Sequence, residues 1–256
     1  MKSNYRYLLL LLLLLLLTGQ AFSQEERVIK FNKGAEYYTA SNYKDALKEW
    51  LDIYNTGYRS AELCYNIGNA NFKLNEIPGA ILFYERALLM EPGDNNINYN
   101  LQIARSLVKD KFKEIPKLFF VKWFDYLALQ FPSNVWAIMS ILFFVLCLVL
   151  LSVYIYSSGF RTKVLGFWAA VLFIIISGSS LAFSVRNKSL VYDSHEAVIF
   201  APSVNGKSSP DNSGTDLFVL HEGSKVTIED NLGEWYEIKL SDGNKGWVPS
   251  SCLEII

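Results

Sequence analysis

A 34-residue period runs through the first 110 residues of this chain. Phe31-Asn32-Lys33, Tyr65-Asn66-Ile67 and Tyr99-Asn100-Leu101 are copies of one cadence, and Gly34 with Gly68, Ala46 with Ala80, and Trp50 with Tyr84 keep the same 34-residue offset. A period of this length belongs to stacked helix-turn-helix units, each of which buries its apolar face against the next. The first unit covers Arg27 to Ser60 (27–60) and the second Ala61 to Asp94 (61–94). A third contributes one helix over 95–110, which caps the stack; the whole block occupies 24–112.

In the second unit Ile67 and Gly68 stand where the first helix must approach its neighbour. Ala80, Tyr84 and Ala87 share one face of the second helix, and Pro92 stops it. This pattern resembles the tetratricopeptide repeat. The first unit keeps Gly34, Tyr37, Ala46 and Trp50 but has Tyr58 in place of the terminating proline and Lys33 in place of an apolar residue. The resemblance implies a right-handed superhelix with a concave face, and it puts Tyr65, Asn66, Asn69, Phe72, Lys73, Tyr99 and Asn100 on or near that face as candidate peptide-binding residues. A row of asparagines can hydrogen-bond an extended peptide backbone. The same asparagines can instead satisfy contacts between helices, and both readings stand at this point. Trp50 and Tyr84 are expected in the core. Lys30 and Lys73 are too few for the carboxylate-gripping variant of the repeat.

Lys2 and Arg6 precede ten leucines, Leu8 to Leu17, and the segment ends in Ala21-Phe22-Ser23. As a helix the leucine run spans only about 15 Å, half a bilayer core, so residues 1–23 read as a signal peptide cut after Ser23. Two uncharged stretches follow, 135–156 and 164–183, of 22 and 20 residues, each long enough to cross the hydrocarbon once. The short turn 157–163 forces them into an antiparallel hairpin, and Gly166 and Ala170 offer a surface for close packing. Arg161 and Lys163 favour a cytoplasmic turn. An exported amino terminus followed by two crossings returns the carboxyl terminus to the starting side, so 24–134 and 184–256 are both expected to be extracytoplasmic, in a two-pass protein of the bacterial inner membrane. Between repeats and membrane, 113–134 carries Phe119, Phe120, Trp123, Phe124, Tyr126 and Phe131 among a few charges, and is expected to lie as an amphipathic helix in the interface. A partner-binding helix is the alternative.

Beyond Leu190 the pattern changes to short strands broken by turns: 197–200, 216–220, 225–228, 235–239 and 246–248, with a polar loop from Pro202 to Thr215. Five short strands in a segment of this size predict a small barrel over 190–256. The stretch from Gly233-Glu234-Trp235-Tyr236 through Gly246-Trp247-Val248-Pro249 to Leu253 resembles a bacterial SH3-like domain. Such domains bind peptides or cell-wall peptide stems, which makes Trp235, Tyr236 and Trp247 a candidate surface. Alternatively, either tryptophan fills a very small core.

A net charge of −1 gives no basic footprint for nucleic acid. His195 and His221 are expected at the surface with no partner at metal-ligand spacing. Cys64, Cys147 and Cys252 form no disulfide framework, although Cys64 and Cys252 could pair if the two soluble domains dock. Asp94 and Asp242 read as cap and turn residues. With no nucleophile motif, phosphate loop or positioned carboxylate pair, no enzyme activity, cofactor or metal is expected.

The order signal peptide, tetratricopeptide repeats, membrane hairpin and SH3-like barrel resembles the BatE proteins of the Bacteroides-type aerotolerance (Bat) operon. The fold class so implied is a multidomain membrane protein: an all-α tetratricopeptide-repeat solenoid, a two-helix transmembrane hairpin and a small all-β SH3-like barrel. The resemblance implies a scaffold that works beside membrane proteins with von Willebrand factor A domains and, indirectly, a MoxR-type ATPase. The rival expectation is a cell-wall sensor whose barrel binds peptidoglycan.

Overall fold

The computed structural model describes residues 24–112, 118–192 and 195–256; the expected signal peptide and the first part of the interfacial segment lie outside them. Five helices come first: α1 (24–39), α2 (Tyr43–Asn55), α3 (Ala61–Lys73), α4 (Ile77–Met90) and α5 (Asn95–Ser106). Local chemistry sets their ends. The Ser60 hydroxyl accepts from the Leu63 amide at the start of α3, Pro78 opens α4 where no amide donor is needed, and the Asp94 carboxylate accepts from the Asn96 and Ile97 amides to begin α5. The cap at Asp94 is thus as expected, whereas α5 ends at Ser106, short of residue 110.

Successive helices stack in chain order around one apolar core that includes Trp50, Ile53, Leu63, Ile67, Ile81 and Tyr84. The sequence period is a structural period. A Cβ at Gly34 would lie 2.5 Å from Trp50 Nε1, and one at Gly68, 34 residues on, would lie 2.6 Å from Tyr84 Cδ1. Each pair therefore brings a glycine-bearing helix against a large ring on the following helix, and both rings are buried.

Among the described residues two helices are long and apolar enough to cross a membrane: α7 (Ser133–Tyr156) and α8 (Phe160–Tyr192). Only 157–159 separates them, so the turn is shorter than the sequence suggested, and α8 continues well past residue 183 as one helix. Gly166 faces the α7 backbone, where a Cβ would meet Leu150 O at 3.3 Å; Ala170 is buried. Serines clamp the pair: Ser140 Oγ donates to Ser177 O at 3.0 Å and Ser177 Oγ donates to Ser140 O at 2.8 Å.

Helix α6 (Phe119–Ala128) packs against the far end of α8 with an unusual polarity. Its buried side carries Asp125, whose Oδ1 lies 2.7 Å from Arg186 Nε, and Phe124, whose ring is tilted against that of Phe183 at 4.9 Å. Asn187 Nδ2 donates to Ala128 O and Phe131 O, and Trp136 Nε1 donates to Ala128 O. The exposed side carries Phe119, Phe120, Trp123 and Tyr126. A buried acid with four aromatics outside, beside the exposed Lys122, is unlike a water-facing helix, and it suits the boundary between lipid and water.

The carboxyl-terminal part is a seven-stranded antiparallel sheet in the order β3-β2-β6-β5-β4-β1-β7. The strands are β1 (Glu196–Ile199), β2 (Ser203–Lys207), β3 (Asp216–His221), β4 (Lys225–Leu232), β5 (Trp235–Lys239), β6 (Lys245–Pro249) and β7 (Leu253–Ile255). Two were not foreseen. β7 follows a single 3-10 turn, and β2 lies inside the stretch expected as a polar loop. It pairs along β3, with Val204 opposite Leu220. The Phe218 ring occupies the space in which Gly206 and Gly246 lack side chains, at 2.1 and 2.9 Å from their would-be Cβ atoms. The sheet wraps Ala197, Ile199, Leu220, Val226, Ile238 and Val248 into its own core.

The sheet docks on the helices. Val198 of β1 is fully buried in the helical core, with Phe200 and Ile256 packed beside it, while Phe112 beyond α5 packs on the barrel core. Gly223, in the β3–β4 turn at φ +83°, sits where a Cβ would come 2.9 Å from Val108. The buried Glu85 of α4 takes Lys225 Nζ at 3.1 Å and the guanidinium of Arg105. Helices and barrel thus lie at the same end of the hairpin as one head.

Candidate functional site

Two surfaces were expected to carry function, and the structure treats them differently. On the helical side, Asn69, Phe72 and Lys73 of α3, Asn100 and Ile103 of α5, Tyr38 of α1 and Tyr84 of α4 line a hollow of about 150 Å3. Asn69 is its hub. Its Oδ1 accepts from Tyr84 Oη at 2.8 Å and from Asn100 Nδ2 at 2.9 Å, and Asn100 Nδ2 also donates to Tyr65 Oη at 3.0 Å. Burial raises the Tyr84 hydroxyl well above its ordinary pKa, so it remains a neutral donor. Asn69 and Asn100 thus bond helix to helix while also lining the hollow. Asn66 is half-buried and engages no described partner through its side chain, while Lys73, in the lining, and Tyr99 are exposed.

On the barrel, strand alternation divides the aromatics. Along β5, Tyr236 and Ile238 face the core, and Trp235, Glu237 and Lys239 face the other way. Along β6, Gly246 and Val248 are buried, and Lys245, Trp247 and Pro249 point outward with Trp235. The register pairs Trp235 with Pro249 and Glu237 with Trp247, so the two tryptophans are diagonal neighbours on one outer face. Both are half-exposed and neither belongs to the core cluster. Of the three expected surface residues, Tyr236 is partly buried and packs against the core, since its strand position is one residue out of phase with the tryptophans. Around the tryptophans, Glu229 accepts Lys245 Nζ at 2.5 Å and Lys239 Nζ at 3.3 Å, and those lysines hold its carboxyl below the ordinary range.

His221 is half-buried and bonded on both ring nitrogens. Its backbone amide donates to Asp110 Oδ2 at 2.6 Å, its Nδ1 lies 2.8 Å from Asp110 Oδ1, and Lys109 Nζ lies 2.8 Å from its Nε2. Ser224 Oγ adds a third bond to Asp110 at 2.6 Å. This cluster joins the end of α5 to the β3–β4 turn, and no sequence motif announced it, because its members are more than 100 residues apart. Cys64, Cys147 and Cys252 are buried free thiols in spite of the docking; burial pushes Cys64 and Cys252 up to about 11.

Comparison with known proteins gives one family match, to the bacterial SH3 domain over residues 203–254, which spans β2 to β7. No curated protein matches the chain. The barrel with its outward tryptophan pair is similar to a bacterial SH3 domain, joined to a helical stack and to two helices able to cross a membrane.

Proposed function

We propose that the protein is a non-enzymatic, two-pass membrane protein of the bacterial envelope whose barrel holds a cell-wall ligand, the peptide portion of peptidoglycan, against Trp235 and Trp247. The observation that carries this reading is the orientation of those two rings. A small domain gains most from burying large aromatics, yet both are turned away from the core and stand beside Lys239, Lys245 and Glu237. Flat apolar faces flanked by charges of both signs suit a short peptide with free carboxylate and amine groups. Export of the head follows from the leader-like residues 1–23 together with the even number of crossings. The test is co-sedimentation of the detergent-solubilised full-length protein with purified sacculi. Trp235→Ala with Trp247→Ala should abolish retention while the thermal unfolding midpoint stays close to that of the wild type. Undiminished retention by a folded double variant would end this reading.

A second reading, closer to the tetratricopeptide and BatE resemblance, makes the protein a scaffold whose repeats grip a segment of another envelope protein, such as one with a von Willebrand factor A domain. It is favoured by Lys73, which lines the helical hollow, and by Asn66 and Tyr99, none of which is used in its internal bonding. Here the asparagines separate the roles. Asn100→Ala removes donors from Tyr65 and Asn69 and should cost about 1–2 kcal/mol of stability, whereas Asn66→Ala should leave unfolding unchanged and weaken a bound peptide. Equal melting of the two variants would contradict this division.

A further inference from the structure

A cleft of about 950 Å3 separates the head from the hairpin. On the head side it is lined by Arg59, Arg86 and Met90, and on the hairpin side by Phe131, Asn134 and Asn187. The two arginines converge: both guanidiniums lie over the ring of Tyr54, at 3.3 and 5.6 Å from its centre. Their described partners are carbonyl oxygens. Arg86 Nη2 donates to Ile255 O at 2.6 Å, and Arg59 donates to the Tyr54 and Tyr58 carbonyls. Neither makes an ion pair among the described residues, and the lining includes a single acidic side chain, Glu91. Two like charges on one ring, facing a cleft, define a place where an anion is stabilised by charge-assisted bonds.

The hairpin side fixes the depth. Asn134 lies in the first turn of α7 and Asn187 in the last turns of α8, and Phe131 packs edge-on against Trp136 at 5.3 Å. Tryptophans at the ends of membrane-crossing helices favour headgroup level, and Trp136 beside Phe131 marks this end of the hairpin as such a place. The remaining lining is mixed, with Leu89, Leu129 and Ile256 apolar and Gln130 and Ser133 polar.

We propose that this cleft binds the phosphate headgroup of an anionic membrane phospholipid, with the phosphate on Arg59 and Arg86 and the glycerol and upper acyl chain along Met90 and Phe131. The inference rests on α7 and α8 crossing a membrane, as the proposed function has them. Guanidinium forks match phosphate oxygens in pairs, and basic pockets beside membrane helices recognise lipid headgroups by this chemistry. Occupancy would tie the head to the bilayer at a point separate from the barrel's outer face.

The experiment inserts the full-length protein into nanodiscs of phosphatidylcholine with or without phosphatidylglycerol, then measures thermal unfolding and, after detergent extraction, the lipid retained in native mass spectra. Wild type should unfold at a higher temperature with phosphatidylglycerol and keep it bound. Arg59→Gln with Arg86→Gln should lower retention by about tenfold or more. Met90→Trp, which fills the cleft and leaves both arginines, should do the same and serves as the reading if the arginine variant misfolds. Failure to enter nanodiscs would overturn both the membrane-crossing reading and this one. Insertion with indifference to phosphatidylglycerol, or retention unchanged in Met90→Trp, would overturn the cleft assignment alone. An equal stabilisation by inorganic phosphate in lipid-free detergent would assign the cleft to a soluble anion and overturn the lipid.

Discussion

At Gly68 a methyl group has nowhere to go. Its would-be Cβ meets Tyr84 Cδ1 at 2.6 Å and Cε1 at 2.7 Å, and the ring cannot swing aside freely because its hydroxyl is bonded to Asn69. Gly68→Ala should therefore destabilise the head by roughly 1–3 kcal/mol through overpacking, read as a lowered unfolding midpoint of the full chain. Gly34→Ala, against Trp50, should act in the same direction. An unchanged midpoint for both would mean that the rings are not fixed partners of these glycines. The 34-residue offset made the glycine and ring positions legible, because close approach between helices leaves a residue-type imprint at a constant spacing. What each asparagine does was not legible. Asn66 and Asn69 are three residues apart on one helix, yet only Asn69 meets both Tyr84 and Asn100, and that depends on the rotation of α3 against α4 and α5.

Elements followed their periodicity where the period was strong. The helices of the stack and the two apolar spans could be read directly, since stacked repeats and membrane-length apolar runs each leave a pattern many residues long. β2 could not. Ser203-Val204-Asn205-Gly206-Lys207 has one inward apolar side chain and a glycine, and its strand character comes from pairing with β3 and from the Phe218 ring above Gly206. The polarity of α6 was likewise hidden, because the partner of Asp125 is 61 residues away at Arg186. That pair makes a prediction at this scale. Asp125→Asn weakens a charge-assisted bond in a place poor in water, worth about 1–3 kcal/mol, so α6 should open more readily. Hydrogen exchange of the amides of 119–128 in nanodiscs should accelerate, while those of α7 stay protected. Unaltered protection would show that the contact of Phe124 with Phe183 suffices to hold the helix.

For the molecule as a whole, the docking of barrel on helices turns separate parts into one head, and its polar centre is Asp110. Burial alone would raise that carboxyl; bonds from Ser224 Oγ and from the His221 amide and ring outweigh it and hold the group below its ordinary 3.8. A depressed carboxylate contributes docking stability that is complete above its ordinary value and is lost as the pH falls through the docked value. Docking should accordingly be intact at neutral pH and loosen below about pH 4, measured as faster exchange of the Gly223 and Ser224 amides. Asp110→Asn should loosen those amides at neutral pH and flatten the acid dependence; an acid response identical to wild type would place the sensitive group elsewhere. None of this was written in the local sequence, from which two separate soluble parts were expected but not that they share a core through Val198.

The chain has six tryptophans, and they fall in separate parts of the molecule: Trp50 in the repeat core, Trp123 on α6, Trp136 and Trp168 on the hairpin, Trp235 and Trp247 on the barrel. Fluorine NMR of the full-length protein labelled with 5-fluorotryptophan, titrated in nanodiscs with soluble peptidoglycan fragments, therefore reads the ligand's location in one spectrum, once each resonance is assigned by a Trp→Phe variant. The account predicts saturable shifts at Trp235 and Trp247 with Trp50 unmoved. Shifts confined to Trp50, or no shift at either barrel tryptophan at saturating fragment, would contradict it.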